Sequence, residues 1–201
     1  ITLADKGYWV FRMGKSVNQP FKSNHPRIID YATTKHRCDF LDIWLMANCF
    51  FCITSLTGLD HVVDVFRKPL VYVNFIGPFS FFHSWTYNVT VPKKLIWMNS
   101  NKYLSLSEML QNGYYKYQDY EKAGIGIVDS SSNEISKAVL EMEARLNGKW
   151  SNNEKDDQLQ KLFWQQFKAW PDFPKFHGKL HPESRIGAKF LLDNQEWFLN
   201  Q

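Results

Sequence analysis

Between residues 37 and 59 the hydrophobic pattern changes twice, and that change restricts the folds open to the chain. Phe40, Leu41, Trp44 and Leu45 recur at helical spacing. Cys49 to Ile53 is then apolar without alternation, the pattern of a parallel strand covered on both faces. Thr54-Ser55-Leu56-Thr57-Gly58 closes that strand, and Val62, Val63 and Phe66 resume helical spacing. Helix, strand, turn and helix in so short a span read as part of an α/β sheet. In such sheets ligands sit beyond the carboxyl ends of the strands, where helix starts offer free N–H groups to phosphate. The expected ligand is therefore an anion, a nucleotide diphosphate.

The flanking sequence extends this alternation. Gly7 to Gly14, Arg27 to Asp30 and Lys68 to Asn74 are strand candidates, so the predicted order is β, β, α, β, α, β. Ser105 with Glu108 three residues later makes a capping box. Ile135, Val139, Met142 and Leu146 mark a helix that Asn147-Gly148 ends. Further helices are expected from Asp156 to Trp170 and from Ala188 to Asn200. The four tyrosines between Tyr114 and Tyr120 lie among charges and read as surface, and the aromatic stretch Phe75 to Tyr87 reads as an exposed interface.

Composition excludes several classes. In 201 residues, 44% hydrophobic and 16% aromatic content supplies a sizeable core and excludes a disordered chain. The net charge of +4 is scattered, so no nucleic-acid partner is expected. No stretch approaches the roughly 18 apolar residues that span a bilayer, so no transmembrane segment is expected. The first residues, Ile1-Thr-Leu-Ala, show neither a starting Met nor a signal-peptide pattern, as in a fragment or processed chain. The three cysteines, Cys38, Cys49 and Cys52, read as buried free thiols of a reducing compartment. Dispersed histidines predict no metal site and no cofactor. No GxGxxG, Walker A or GxSxG motif is present.

Candidate site residues follow from these positions. Arg12 ends a strand beside Gly14, Lys15 and Ser16, and an arginine there clamps a diphosphate bidentately or forms a surface ion pair. Thr54, Ser55, Thr57 and Gly58 suit phosphate or simple helix capping. Asp30 and Tyr31 end the second strand, where a carboxylate meets a ribose hydroxyl or a base edge. Asp39 favours the dipole of the helix it opens, whatever else it does, and Asp42 reads as solvated.

Taken in order, Trp9-Val-Phe-Arg-Met-Gly14, Ile28-Ile-Asp-Tyr-Ala32, Cys38-Asp-Phe-Leu-Asp42 and Cys49 to Leu59 resemble the carboxyl-terminal half of a bacterial glycosyltransferase family. Arg67 to Asn74, Val91-Pro-Lys93 and Lys102 to Glu108 continue the likeness. The layout is distantly similar to the nucleotide-binding half of GDP-fucose transferases and other GT-B enzymes. The resemblance implies a Rossmann-like parallel sheet flanked by helices, one half of a GT-B fold, with extra carboxyl-terminal helices. Residues 1–125 would be the nucleotide-sugar-binding domain and 126–201 a helical extension packed on it.

By the same resemblance Arg12 is the diphosphate-clamping and catalytic residue, helped by Lys15, Ser16 and the Thr54–Gly58 turn. Asp30, Tyr31 and Asp39 lie beside the nucleoside. Implied partners are a nucleotide sugar, a glycan or lipid-linked acceptor and an amino-terminal GT-B domain that this chain lacks. The implied location is cytoplasmic, with peripheral attachment at the inner membrane face as a variant. Met13-Gly14 follow Arg12 where fucosyltransferases carry another charged residue, so neither fucose nor GDP is implied. Alternatives are an epimerase or pyruvyl transferase on a similar sheet, or a non-catalytic scaffold of surface-polysaccharide assembly.

Overall fold

The computed structural model describes residues 1–76, 85–112, 114, 116–176 and 180–199. After a single helical turn, α1 (Thr2–Asp5), the chain runs β1 (Val10–Phe11), β2 (Ile28–Ile29), a 3-10 turn (Tyr31–Thr33) and α2 (Asp39–Asn48). It continues through β3 (Cys52–Thr54), α3 (Asp60–Val65) and β4 (Leu70–Phe75), the predicted alternation. Next come β5 (Asn88–Pro92), β6 (Lys94–Trp97), β7 (Lys102–Tyr103), α4 (Leu106–Gln111), α5 (Tyr117–Lys122) and β8 (Ile125–Val128). The remainder is α6 (Ser132–Leu146), α7 (Glu154–Lys168), α8 (Phe173–Phe176), β9 (Arg185–Ile186) and α9 (Ala188–Phe198).

The architecture is mixed α/β, with a parallel four-stranded sheet in the order β3-β4-β5-β9 flanked by helices. Its central strands are covered on both faces: Leu70, Val71, Tyr72 and Val73 are all buried, as is every residue of β5. The edge strand differs from the sequence expectation. It is shorter than Cys49 to Ile53, and Ile53 turns one face outward while Thr54 is buried. Cys49 instead ends α2. The two-residue strands β1 and β2 pair in parallel apart from this sheet, and β7-β6-β8 form a small antiparallel one.

The carboxyl-terminal region expected to be a helical extension also supplies a strand, because β9 pairs with β5 through Val89↔Arg185 and Thr90↔Ile186. A boundary at 125 would cut β8 after its first residue. One core spans both parts, joining Val63, Val71 and Val89 to Met142, Phe163, Leu191 and Phe198. Phe163 stacks on Phe167 and Phe198 at centroid distances of 5.6 and 6.2 Å. Each such fully buried side chain contributes about 1.5–3 kcal/mol.

Local signals act as expected at the helix starts. Ser105 and Glu108 cap α4, and Ser131 and Glu134 cap α6, each by reciprocal side-chain and backbone hydrogen bonds. Gly148, at φ +65°, follows α6. Three expectations fail. Tyr120 is buried, meeting Tyr114 edge-on at 5.1 Å, because its ring completes the core beneath β8. On α2, Phe40 and Trp44 face outward while Met46 is the residue buried. Cys38, read as a buried thiol, is exposed just before α2. Most of the Phe75-to-Tyr87 stretch lies outside the described residues; of its ends, Phe75 is buried and Trp85 exposed.

Candidate functional site

The parallel pairing of β1 and β2 places Phe11 opposite Ile29, so the residues that follow, Arg12 and Asp30, emerge side by side. The Arg12 Nε donates to Asp30 Oδ1 at 2.7 Å and Nη2 to Oδ2 at 3.1 Å. Both terminal nitrogens also donate to the Gln19 carbonyl at 3.0 Å. Asp30 Oδ2 accepts further bonds from the Phe21 N–H and the Thr33 hydroxyl. Desolvation pushes the Asp30 carboxyl up, but the Phe21 N–H, the Thr33 hydroxyl and the Arg12 guanidinium outweigh it and hold the pKa below the ordinary value. The pair thus pins the loop at Gln19–Phe21 to both strand ends. Lys15 and Ser16 are exposed on that loop.

Tyr31 is buried and acts on the start of α2. Its hydroxyl accepts from the Cys38 N–H at 3.2 Å and donates to the Cys38 carbonyl at 3.4 Å. Burial raises its pKa. Asp39, the first residue of α2, is exposed. Asp42, expected to be solvated, is instead tucked in, 3.8 Å from Arg37.

The turn after β3 divides into a buried and an open half. The Thr54 hydroxyl donates to Asp60 Oδ2 at 3.3 Å and accepts from the Leu56 N–H at 3.2 Å. Asp60 opens α3 and is buried, so the protein's own carboxylate already lies where an anion was expected. Ser55, Thr57 and Gly58 are exposed beyond it. Gly58 has φ +87°, which a side chain at this position would strain, although a Cβ there would meet no atom within 4 Å.

Two groups of predicted residues therefore exist: Arg12 with Asp30 after the β1–β2 pair, and the 54–58 turn after β3. Among the described residues no hydrogen bond or ion pair joins them. Nor does any group of three His, Cys, Asp or Glu side chains there gather to hold a metal.

Sequence reasoning missed a buried charge cluster. Glu141 and Arg145 on α6 meet Asp156 on α7 and Arg185 on β9. The Arg145 Nε donates to Glu141 Oε1 at 2.9 Å, Arg185 Nη2 to Asp156 Oδ2 at 3.0 Å, and the Ala188 N–H to Glu141 Oε2 at 2.7 Å. Burial raises the Glu141 pKa despite both arginines, and pushes Tyr87 nearby up to about 12. A signal was present: Glu141 and Arg145 stand three residues after Ala138 and Met142, on the buried face of the helix. The cluster joins α6, α7, β9 and the start of α9, which makes it an organising feature of the fold.

Comparison with protein-family models, with curated proteins and with solved structures finds no match.

Proposed function

We propose that the chain is the donor-binding half of a metal-independent GT-B-type glycosyltransferase, with a Rossmann-like sheet that takes a nucleotide-diphosphate sugar. The observation that supports this best is the β3–α3–β4 parallel unit, whose connecting turn leaves Ser55, Thr57 and Gly58 open at the carboxyl edge of the sheet. Ligands of open α/β sheets bind at that edge. The diphosphate accepts from the turn's hydroxyls and N–H groups. Arg12, with Lys15 and Ser16 from the loop, exchanges its bonds to the Gln19 carbonyl for phosphate oxygens and balances the charge of the leaving group. The exposed Asp39 carboxylate meets the ribose, with Asp30 and Tyr31 shaping that side. A second domain supplies the acceptor site for a glycan or lipid-linked acceptor and covers the exposed Phe40, Ile43 and Trp44.

A second reading has support of its own. Arg12 and Asp30 satisfy one another, and Asp60 stands behind the turn, as in a binding or scaffold domain without a nucleotide site. Calorimetry with UDP, GDP, ADP and CMP separates the two. A donor domain binds at least one of them, and Thr57→Ala or Arg12→Ala weakens it at least tenfold. A folded wild type that binds none would establish the scaffold.

A further inference from the structure

Counted along the chain, the net charge expected to be scattered is concentrated in one segment. Residues 12–37 hold six of the 24 Lys and Arg but one of the 20 Asp and Glu, a net +5, which leaves −1 for all other residues. The fold gathers this segment at the carboxyl end of the β1–β2 pair. There the Phe21 N–H and the Thr33 hydroxyl both donate to Asp30 Oδ2, at 2.8 and 2.9 Å. The Arg37 Nε donates to the Gly14 carbonyl at 3.3 Å. Lys22, Lys35 and Lys15 stand within two residues of Phe21, Thr33 and Gly14, so three lysines distant in sequence come to one end of the pair.

The partners of these cations select among anionic surfaces. Arg12 is held by Asp30 and the Gln19 carbonyl, Arg27 by the Gly7 carbonyl, and Arg37 by Gly14 and Asp42. Lys15, Lys22 and Lys35 are exposed and have no hydrogen-bonding or ionic partner among the described residues. Phe21, next to Lys22, is 49% exposed, and Trp9 and Phe11, on one side of the first strand, are 60% and 40% exposed. Unpaired lysines around exposed aromatic rings carry the two signals of reversible attachment to an anionic bilayer. The rings enter the headgroup boundary and the ammonium groups meet lipid phosphates. A nucleic-acid track fits less well. The arginines that would fork onto phosphates are engaged, and three lysines fall short of the roughly six to ten phosphate contacts of a strong nucleic-acid binder.

We propose that the carboxyl end of the β1–β2 pair docks on a membrane surface rich in anionic phospholipid, with Lys15, Lys22 and Lys35 over the headgroups and Phe21 inserted among them. Docking requires no bound nucleotide, and Lys15, which the nucleotide site also uses, stays unchanged in the test. The experiment is co-sedimentation with vesicles of phosphatidylcholine alone and of an equal mixture with phosphatidylglycerol. The wild type is expected to sediment with the mixed vesicles only and to be released in about 1 M salt, where the screening length falls to about 3 Å. Each Lys near an anionic leaflet strengthens binding about fivefold. Lys22→Glu combined with Lys35→Glu should therefore weaken it at least about tenfold, and Phe21→Ala should weaken it too, all at unchanged melting temperature. Should Phe21→Ala fail to fold, the exposed lysine variants carry the test. No binding to mixed vesicles, equal binding by wild type and the double lysine variant, or equally strong binding to neutral vesicles would overturn the proposal. Binding of polyuridylate in place of mixed vesicles would overturn it as well and assign the surface to nucleic acid.

Discussion

The side chains of Arg12 and Asp30 meet side-on, two nitrogens to two oxygens at 2.7 and 3.1 Å, because their strands pair in parallel register one residue earlier. The geometry is the strong bidentate form of an ion pair. Its consequence for pH follows from the depressed Asp30 pKa. A carboxyl held below its unfolded value contributes stability that is fully present above that value, about 3.9 for Asp. The contribution is lost as pH falls through the folded value. Asp30→Asn should therefore flatten the acid limb of the stability curve below about pH 4 and leave the slope near neutrality unchanged. Urea melts of wild type and variant across pH 2–7 measure this (about 3.9 being the reference point); an unchanged acid limb would remove the pair from the account.

Arg145 holds the cluster beneath α6, touching Glu141, Asn152 and, through its guanidinium 4.6 Å from the ring centroid, Trp150. Removing one member of a buried ionic set leaves the others uncompensated, at a cost of about 3–5 kcal/mol. Arg145→Ala should lose that much in denaturant unfolding. A loss below about 1 kcal/mol, the range of exposed pairs, would mean that water reaches the cluster.

Ser131 caps α6 from an exposed position, so its contribution can be read without disturbing the core. Ser131→Ala should cost about 1 kcal/mol. Ser131→Asp, which keeps an acceptor at the helix start, should recover most of that in the same chemical melts.

The order of elements through β4 was legible because its signals are local: apolar runs of strand length, helical spacing, and turns rich in Gly, Ser and Thr. The capping box at Ser105 and Glu108 was legible for the same reason. What escaped depends on distant partners. β9 is two residues long and exists only because β5 lies beside it, so Arg185–Ile186 carries no signal of its own. Asp156 looks like a solvent-facing carboxylate until Arg185, 29 positions away, closes over it. Arg12 could be recognised as a strand-end arginine, but its nearest acceptor, Asp30, is 18 positions away and becomes adjacent only through the β1–β2 pairing.

The central claim is that a nucleotide diphosphate binds at the turn after β3. Amide-resolved NMR during titration with UDP and GDP tests it at the atoms concerned. Binding at the proposed place predicts saturable shifts of the Ser55, Thr57 and Gly58 N–H signals, accompanied by the Arg12 side-chain Nε–H. Saturable shifts confined to other parts of the sheet, or none with either nucleotide, would contradict it.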